Sequence, residues 1–141
     1  MAGVAISDDV VQSFNNMKLK KEDAPSQAIK FKMSNDLKSV EVLEKVPKGT
    51  SYEEIVASLP EDDCLYAVVD FHYDNEDGHR EKMIFINWAP VKAPIKKKMV
   101  YAATKGSVKD KLVGISLEIQ ATDKSEVDAK TVIDKCNLIS K

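Results

Sequence analysis

Three polar side chains near the middle of the sequence are the best suited to acid–base or metal chemistry. Asp70 and His72 lie in the run CLYAVVDFHY (64–73), and His79 lies in the segment that follows. A metal site would need the histidines to converge with cysteine or carboxylate ligands, and their spacing matches no known ligand pattern. We therefore expect a structural His72, a surface His79 and an Asp70 paired with a backbone group or a lysine, and no metal site.

Motifs for phosphate binding and nucleophilic catalysis are also absent. The sequence has no GxGxxG, GxxxxGKS/T or GxSxG pattern, and its five glycines form no phosphate-binding loop. Cys64 and Cys136 lie far apart and outside any CxxC, so we expect two reduced thiols in a protein core. These observations argue against an enzyme and against a bound cofactor.

A lysine-rich segment, residues 92–111, is the strongest functional signal. It contains seven lysines and one acid, whereas the net charge of the whole chain is −2, so a basic segment lies on an acidic body. This asymmetry predicts a localised contact with an acidic partner. Within the segment, Lys96, Met99 and Ala103 form an i, i+3, i+7 stripe of charged, flexible and small side chains, which suits a groove on a partner.

Residue periodicity then places the elements that must carry these side chains. The pattern predicts a helix over 8–20, a loop over 21–27, and half-buried strands over 29–33 and 40–44 that meet at Asn35-Asp36. Capping boxes starting at Thr50 and Ser51 open a short helix that ends before Pro60. Two central strands follow over 64–73 and 82–88, with a turn over 74–78 between them.

The C-terminal third is predicted to contain two helices and one strand. A helix begins near Pro94 and runs through Lys105, and the apolar phase shifts across Gly106, which indicates a kink or break near 104–107. A strand over 115–119 follows, and Asp128 caps a final helix. The element order predicts an α+β domain with a central mixed sheet between helices.

Length and composition favour one domain over residues 1–141. No apolar stretch is long enough to cross a bilayer, and residues 1–9 do not read as a secretory signal. We therefore expect an intracellular, cytoplasmic protein. We also expect a monomer that does not bind nucleic acid.

Several segments in one order resemble a known family. The lysine-rich segment is similar to the long helix of the actin-depolymerising factor/cofilin family (ADF-homology domain). Further segments match that family in the same order along the chain: GVAISDD (3–9), FNNMK (14–18), LPEDDCLYA (59–67), DFHY (70–73), FINWAP (85–90) and QATD (120–123). The resemblance spans almost the whole chain and implies a sheet sandwiched by helices, in agreement with the element order.

The resemblance also implies a function and a set of site residues. A member of this family binds monomeric and filamentous actin, preferring its ADP form, severs filaments and speeds subunit loss in the actin cytoskeleton. By resemblance, the surface that contacts both monomer and filament comprises Gly3, Val4, Lys96, Lys98, Met99, Ala103 and Thr104. The additional filament contact comprises Arg80, Lys82, Asp134 and Lys135.

The chain departs from the family pattern at a few positions. Ala2 stands where members regulated by phosphorylation carry a serine, and Ser7 reads as a helix cap, so we expect no N-terminal phosphorylation switch. Asp110 replaces a common lysine, Ala103 lacks the usual hydroxyl, and Leu138 replaces a basic residue of the filament contact in some members.

Two alternatives remain open at this point. One is a coactosin-like protein that binds filament sides without severing. The other is a phosphoinositide-binding module, since each lysine near an anionic membrane contributes about 1 kcal/mol. Its candidate residues are Lys96, Lys98, Lys105, Lys109 and Lys111.

Overall fold

The computed structural model describes residues 4–19 and 26–139. The strands are β1 (Ala5–Ile6), β2 (Ser26–Met33), β3 (Ser39–Pro47), β4 (Leu65–Asn75), β5 (Gly78–Trp88) and β6 (Leu117–Ala121). The helices are α1 (Asp8–Leu19), α2 (Tyr52–Ala57), α3 (Ile95–Lys111) and α4 (Ala129–Ile139), with a 3-10 turn at Lys124–Val127. No helix in these ranges is long and apolar enough to span a bilayer.

The six strands form one mixed sheet in the order β1-β3-β2-β4-β5-β6. The two outer pairs, β1 with β3 and β5 with β6, are parallel, and the inner pairs are antiparallel. This confirms the predicted α+β fold with a central mixed sheet. The two-residue strand β1 was not predicted, because two residues are too few to show an alternating pattern.

The helices cover both faces of the sheet and enclose two separate cores. Phe14 of α1 and Tyr101 of α3 pack with Cys64 on one face, whereas Ile55 of α2 and Val132 of α4 pack on the other face with Cys136. Side chains along a strand alternate between faces, which is why the central strands are apolar on both sides. Both cysteines are free and buried, as expected.

The third helix differs from its prediction. α3 continues without interruption through Gly106 to Lys111. The phase shift arises because the helix carries two apolar faces: Tyr101, Val108 and Leu112 enter the core, whereas Ile95 and Met99 are exposed. Of the predicted kink or break near 104–107, the break was therefore wrong, and a side chain added at the exposed Gly106 would meet open space.

Strand β2 is more buried than its alternating pattern predicted. Lys30 lies between two apolar strand residues, yet its side chain is only 6% exposed. Its ammonium group lies 3.1 Å from Oε1 of Glu44 and donates to Oγ of Ser58 at 2.7 Å, which compensates the cost of burying the charge. Ser26 and Gln27 also belong to β2 rather than to the predicted loop, whose other residues, 21–25, lie outside the described ranges.

The hairpin between β4 and β5 is tighter than predicted. The strands extend to Asn75 and Gly78 and leave only Glu76 and Asp77 in the turn, where a turn over 74–78 was predicted. Gly78 has φ = +110°, a conformation that L side chains rarely adopt. The two strands therefore pair over their full length of 11 residues each.

Candidate functional site

The N-terminal half of α3 presents an exposed surface that combines lysine with apolar side chains. Ile95 is 73% exposed and Met99 67% exposed, and Lys96 and Ala103 are exposed beside them. Tyr101 anchors the helix from its opposite side. The predicted stripe of Lys96, Met99 and Ala103 therefore points away from the core.

Lys97 forms an ion pair, whereas Lys96 and Lys98 have no ion-pair partner in the part of the chain that the structure describes. Its Nζ lies 3.1 Å from Oδ1 of Asp63, and Nζ of Lys32 lies 2.7 Å from the other carboxylate oxygen. Burial alone would raise the pKa of Asp63, but the hydrogen bonds from Lys32 and Lys97 outweigh it and hold the pKa below its ordinary value. Lys97 thus fastens the start of α3 to the segment before β4.

Two lysines further along α3 share one acid on the neighbouring strand. Nζ of Lys105 and Nζ of Lys109 lie 3.3 and 3.2 Å from the carboxylate oxygens of Glu118 in β6. Burial would raise the pKa of Glu118, but its hydrogen bonds from Lys109 and Lys105 prevail and lower it. These lysines are therefore already engaged in holding α3 to the sheet edge.

The positive charges left for a partner lie elsewhere on α3. Lys96 has no ion-pair partner among the residues described, and Lys98 donates to the backbone oxygen of Val91 at 3.2 Å. Since successive helix residues rotate by about 100°, Lys96 and Lys111 lie on one flank and Lys98, Lys105 and Lys109 on the other. The five lysines of the predicted phosphoinositide cluster do not form one face.

The N-terminal segment lies beside α3. Strand β1 pairs with β3 through Ala5–Ser39 and Ile6–Val40, and Val4, Ala103, Thr104 and Ser107 line one small depression. Thr104 is only 6% exposed, so it offers a partner little surface. Gly3 lies outside the described residues. The backbone of Ser7 accepts from the N–H of Val10 at 3.1 Å and donates to Val40 at 3.0 Å, which fixes the entry into α1.

The predicted filament-contact residues lie on the opposite face of the sheet. Arg80 pairs across the hairpin with Tyr73, and Lys82 pairs with Phe71. Tyr73 and Phe71 belong to the core under α4, whereas α3 packs on the other core. Because directly paired residues share a face, Arg80 and Lys82 lie on the α4 side.

Helix α4 and the hairpin form one continuous surface there. Nδ2 of Asn75 donates to Oδ1 of Asn137 at 3.2 Å, which joins the end of β4 to α4. Asp134 and Lys135 are exposed on this helix, and Asp134 pairs with Lys130 at 3.3 Å. Arg80 is held by Asp77 of the turn at 3.3 Å. The structure thus brings the four predicted residues into two adjoining elements.

Two residues of the α3 surface were not among the predicted site residues. Val91 is 75% exposed and Ile95 73% exposed. Ile95 lies one turn before Met99 on α3, and the backbone oxygen of Val91 accepts from Nζ of Lys98. The i, i+4 spacing of Ile95 and Met99 is the signal that could have identified Ile95. Val91 lies between Pro90 and Lys92 in a short loop, where periodicity carries no information.

Known proteins are similar to this chain over nearly its whole length. The family model described as "Cofilin/tropomyosin-type actin-binding protein" matches residues 3–137. Actophorin from Acanthamoeba castellanii is 43% identical over 135 residues, which cover 96% of each chain. The crystal structure of cofilin from Streptomyces griseoflavus is similar with a TM-score of 0.87 at 37% identity, covering 96% of this chain and 98% of that one.

A second solved structure bears on the alternative reading. The crystal structure of coactosin from Entamoeba histolytica is similar with a TM-score of 0.82 at 25% identity, covering 98% of this chain and 97% of that one. The fold is therefore shared between a protein named cofilin and a protein named coactosin, so the fold alone does not separate these two groups of proteins.

Proposed function

Since the chain belongs to the cofilin/tropomyosin-type family of actin-binding proteins, we propose that it binds monomeric and filamentous actin, severs filaments and promotes their depolymerisation and turnover in the cytoplasm. On this proposal the protein acts by binding alone, and none of its residues makes or breaks a covalent bond. The partner is actin, and the surface on α3 is the principal contact.

One observation carries this proposal: α3 exposes apolar side chains next to a lysine that has no ion pair within residues 4–19 and 26–139. Val91, Ile95 and Met99 are each at least two-thirds exposed, and Lys96 extends beside them. Exposed apolar patches rimmed by charge are typical of protein-binding sites, and a methionine adapts its shape to a partner's groove. Lys97, Lys105 and Lys109 hold the helix in place, so the surface is presented on a rigid element.

The second surface supports binding to filaments in addition to monomers. Arg80 and Lys82 on β5 and Lys135 on α4 lie across the sheet from α3. A filament offers two neighbouring subunits, and a protein with contacts on two faces can touch both. We therefore assign α3 to contact with one subunit and the β5–α4 surface to contact with the next.

Severing follows from differential affinity. A ligand shifts a conformational equilibrium only by the difference between its affinities for the two states. If this protein binds a changed filament twist more tightly, decorated segments adopt that twist, and strain gathers at their boundaries with bare segments. Breakage at these boundaries then needs no catalytic residue.

The coactosin-like alternative is distinguished by what happens to filaments after binding. The Lys96–Met99 stripe together with the Arg80 and Lys82 pair favours severing. The lipid alternative is less well supported, because Glu118 partly neutralises two of its five lysines and the helix divides the remainder between its flanks.

The deciding experiment combines co-sedimentation with filamentous actin and direct imaging of the filaments. We expect the protein to pellet with filaments, to shorten them, and to bind monomeric actin in a separate titration. Pelleting without shortening would identify a side-binding protein, and failure to pellet would refute the proposal. Sedimentation with phosphoinositide-containing vesicles, run in parallel, tests the lipid alternative.

A further inference from the structure

The two histidines, which sequence spacing separated, converge on one face of the β4–β5 hairpin. His72 is the direct cross-strand partner of Glu81, and His79 is the direct partner of Asp74. Residues at i and i+2 along a strand share a face, so these four side chains form one patch. Nε2 of His79 lies 3.3 Å from Nδ1 of His72.

Both imidazole rings have a carboxylate beside their other nitrogen. Nδ1 of His79 lies 3.0 Å from Oδ1 of Asp74. Nε2 of His72 lies 3.0 Å from Oδ1 of Asp70, although the angle departs from hydrogen-bond geometry. A neutral imidazole has one N–H and one lone pair. In the tautomers whose N–H groups face these carboxylates, the two lone pairs face each other and can bind one cation between them.

The geometry of the facing nitrogens fits a metal ion. Zinc binds histidine nitrogen at about 2.0–2.1 Å, so two such ligands at tetrahedral angles lie about 3.3–3.4 Å apart. The observed separation of Nε2 of His79 and Nδ1 of His72 is 3.3 Å. A third ligand is at hand, because one donor atom from each of His72, His79 and Glu81 falls within 4.8 Å of the others.

We propose that His72, His79 and Glu81 form a binding site for a divalent transition-metal cation of the zinc type. Two imidazoles and one carboxylate are ligands that such cations favour. Asp74 and Asp70 act as positioning residues, since a histidine bound to a metal usually has its second ring nitrogen held by a carboxylate. His79 and Glu81 are exposed, so the remaining coordination position is open to solvent.

The position of this site gives it a consequence for the hairpin. Arg80 lies between His79 and Glu81 in the sequence and points to the opposite face of β5. A cation that joins β4 to β5 at this level therefore braces the strand that presents Arg80 and Lys82. The site stands on its own geometry and does not depend on the proposed binding of actin.

The first test is calorimetric titration of zinc into the full-length protein. We expect one cation per chain in the wild type, and loss of that binding in His79→Ala and in His72→Ala. Asp74→Asn, which removes only a positioning carboxylate, should weaken binding about 10–100-fold. Glu76→Gln is the matched control, because it removes an exposed carboxylate from the same turn outside the cluster and should leave binding unchanged.

Thermal unfolding with and without zinc separates a loss of zinc binding from a loss of folding. His79 is exposed, so its substitution should leave the thermal unfolding curve without zinc unchanged even if His72→Ala proves unstable. Zinc should raise the melting temperature of the wild type and of Glu76→Gln but not of His79→Ala, because a ligand that binds only the native state stabilises it.

Nitrogen-15 spectra of the two imidazoles identify the donor atoms. We expect zinc to shift Nδ1 of His72 and Nε2 of His79. Stoichiometric binding that survives both histidine substitutions would overturn the proposal, as would an absence of zinc binding to the wild type. Rings that respond to pH and not to zinc would show that a shared proton fills the gap, which would also refute a metal site.

Discussion

The hydroxyl of Tyr66, the second residue of β4, donates a hydrogen bond to the backbone oxygen of Tyr101 in α3. The hydroxyl of Tyr101 in turn accepts a hydrogen bond from the backbone N–H of Met33 at 2.8 Å, and the two rings lie 5.0 Å apart. Two strands thus hold the helix that carries the proposed actin surface. Burial raises the pKa of Tyr101 to about 12, so its hydroxyl stays protonated at neutral pH.

Tyr101→Phe should lower the free energy of unfolding by about 1–3 kcal/mol, because it leaves the N–H of Met33 buried without a partner. Urea unfolding followed by circular dichroism measures the change. Tyr73→Phe is the matched control: it removes the same atom from a buried hydroxyl that has no hydrogen bond in the part of the chain described. Equal losses in the two variants would contradict the assigned hydrogen bond.

Lys96→Ala combined with Lys98→Ala should abolish most binding to monomeric actin and leave the melting temperature nearly unchanged. Exposed lysines contribute only about 0–1 kcal/mol to stability. The binding constant and the thermal unfolding curve are measured on the same preparation. A variant that melts normally and binds actin like the wild type would show that α3 is not the contact surface.

The matched control for this pair is Lys48→Ala combined with Lys124→Ala. It removes the same charge, and Nζ of Lys124 donates to the backbone oxygen of Ala57 at 3.1 Å much as Lys98 donates to Val91. We expect this control to bind monomeric actin at wild-type strength. A similar loss would mean that overall charge, and not the α3 surface, sets the affinity.

Arg80→Ala combined with Lys82→Ala should weaken filament binding and severing but spare monomer binding. The physical reason is that these residues lie on the α4 face of the sheet, across from α3. Filament co-sedimentation, filament imaging and a monomer titration give the three readouts. If monomer affinity falls as much as filament affinity, the two surfaces are not separate.

Asp63 and Glu118 should make stability depend on acid pH. Their pKa values in the folded protein are lowered from ordinary values of 3.8 and 4.5. The unfolded chain therefore binds protons more readily, so this stabilisation is fully present above those ordinary values and is lost as pH falls through the folded pKa values. Asp63→Asn should lower the free energy of unfolding by about 1 kcal/mol at neutral pH. It should also reduce the fall in that free energy as the pH becomes acidic, which we call the acid limb.

The acid limb is measured by urea unfolding at a series of pH values. Asp62→Asn serves as the control, because this neighbouring carboxylate is exposed and has no ion pair among the described residues. A steep acid limb that persists in Asp63→Asn at wild-type magnitude would assign the effect to other carboxylates.

Much of the fold follows from local patterns because its determinants are local. The N–H of Glu54 donates to Oγ of Ser51, which is one of the two hydrogen bonds of the predicted capping box, and Oδ1 of Asp128 accepts from the N–H of Thr131 at the start of α4. The central strands are apolar on both faces, which predicts burial between two helical layers. These features depend on neighbours within a few residues.

The errors arose where distant residues decide the outcome. The exposed apolar residues Ile95 and Met99 of α3 lie out of phase with the core-facing residues of the same helix, and this phase shift is what predicts a kink or break. A sequence does not show that one continuous helix carries one apolar face for the core and another for a partner. Lys30 was expected on a solvated strand face, but Glu44 and Ser58 receive its charge from other elements.

The proposed metal site at His72 and His79 shows the same limit of prediction from sequence. Their spacing along the chain indicated no ligand pair, yet the register of the tight hairpin places Nε2 of His79 against Nδ1 of His72. A turn over 74–78 would have left Asp74 and His79 outside the ladder. Register in a hairpin is set by turn length, and an error of a few residues there removes a whole cross-strand cluster.

Because the two thiols lie on opposite faces of the sheet, their reaction rates report separately on the local opening of each helical layer. Burial raises the pKa of Cys64 and of Cys136, so each thiol reacts slowly until its own layer of helices lifts away. Cys64 lies beneath α1 and α3, and Cys136 lies on α4. Equal labelling rates at the two positions would mean that the molecule opens as a single cooperative unit. Unequal rates would show that one helical layer detaches while the other stays closed.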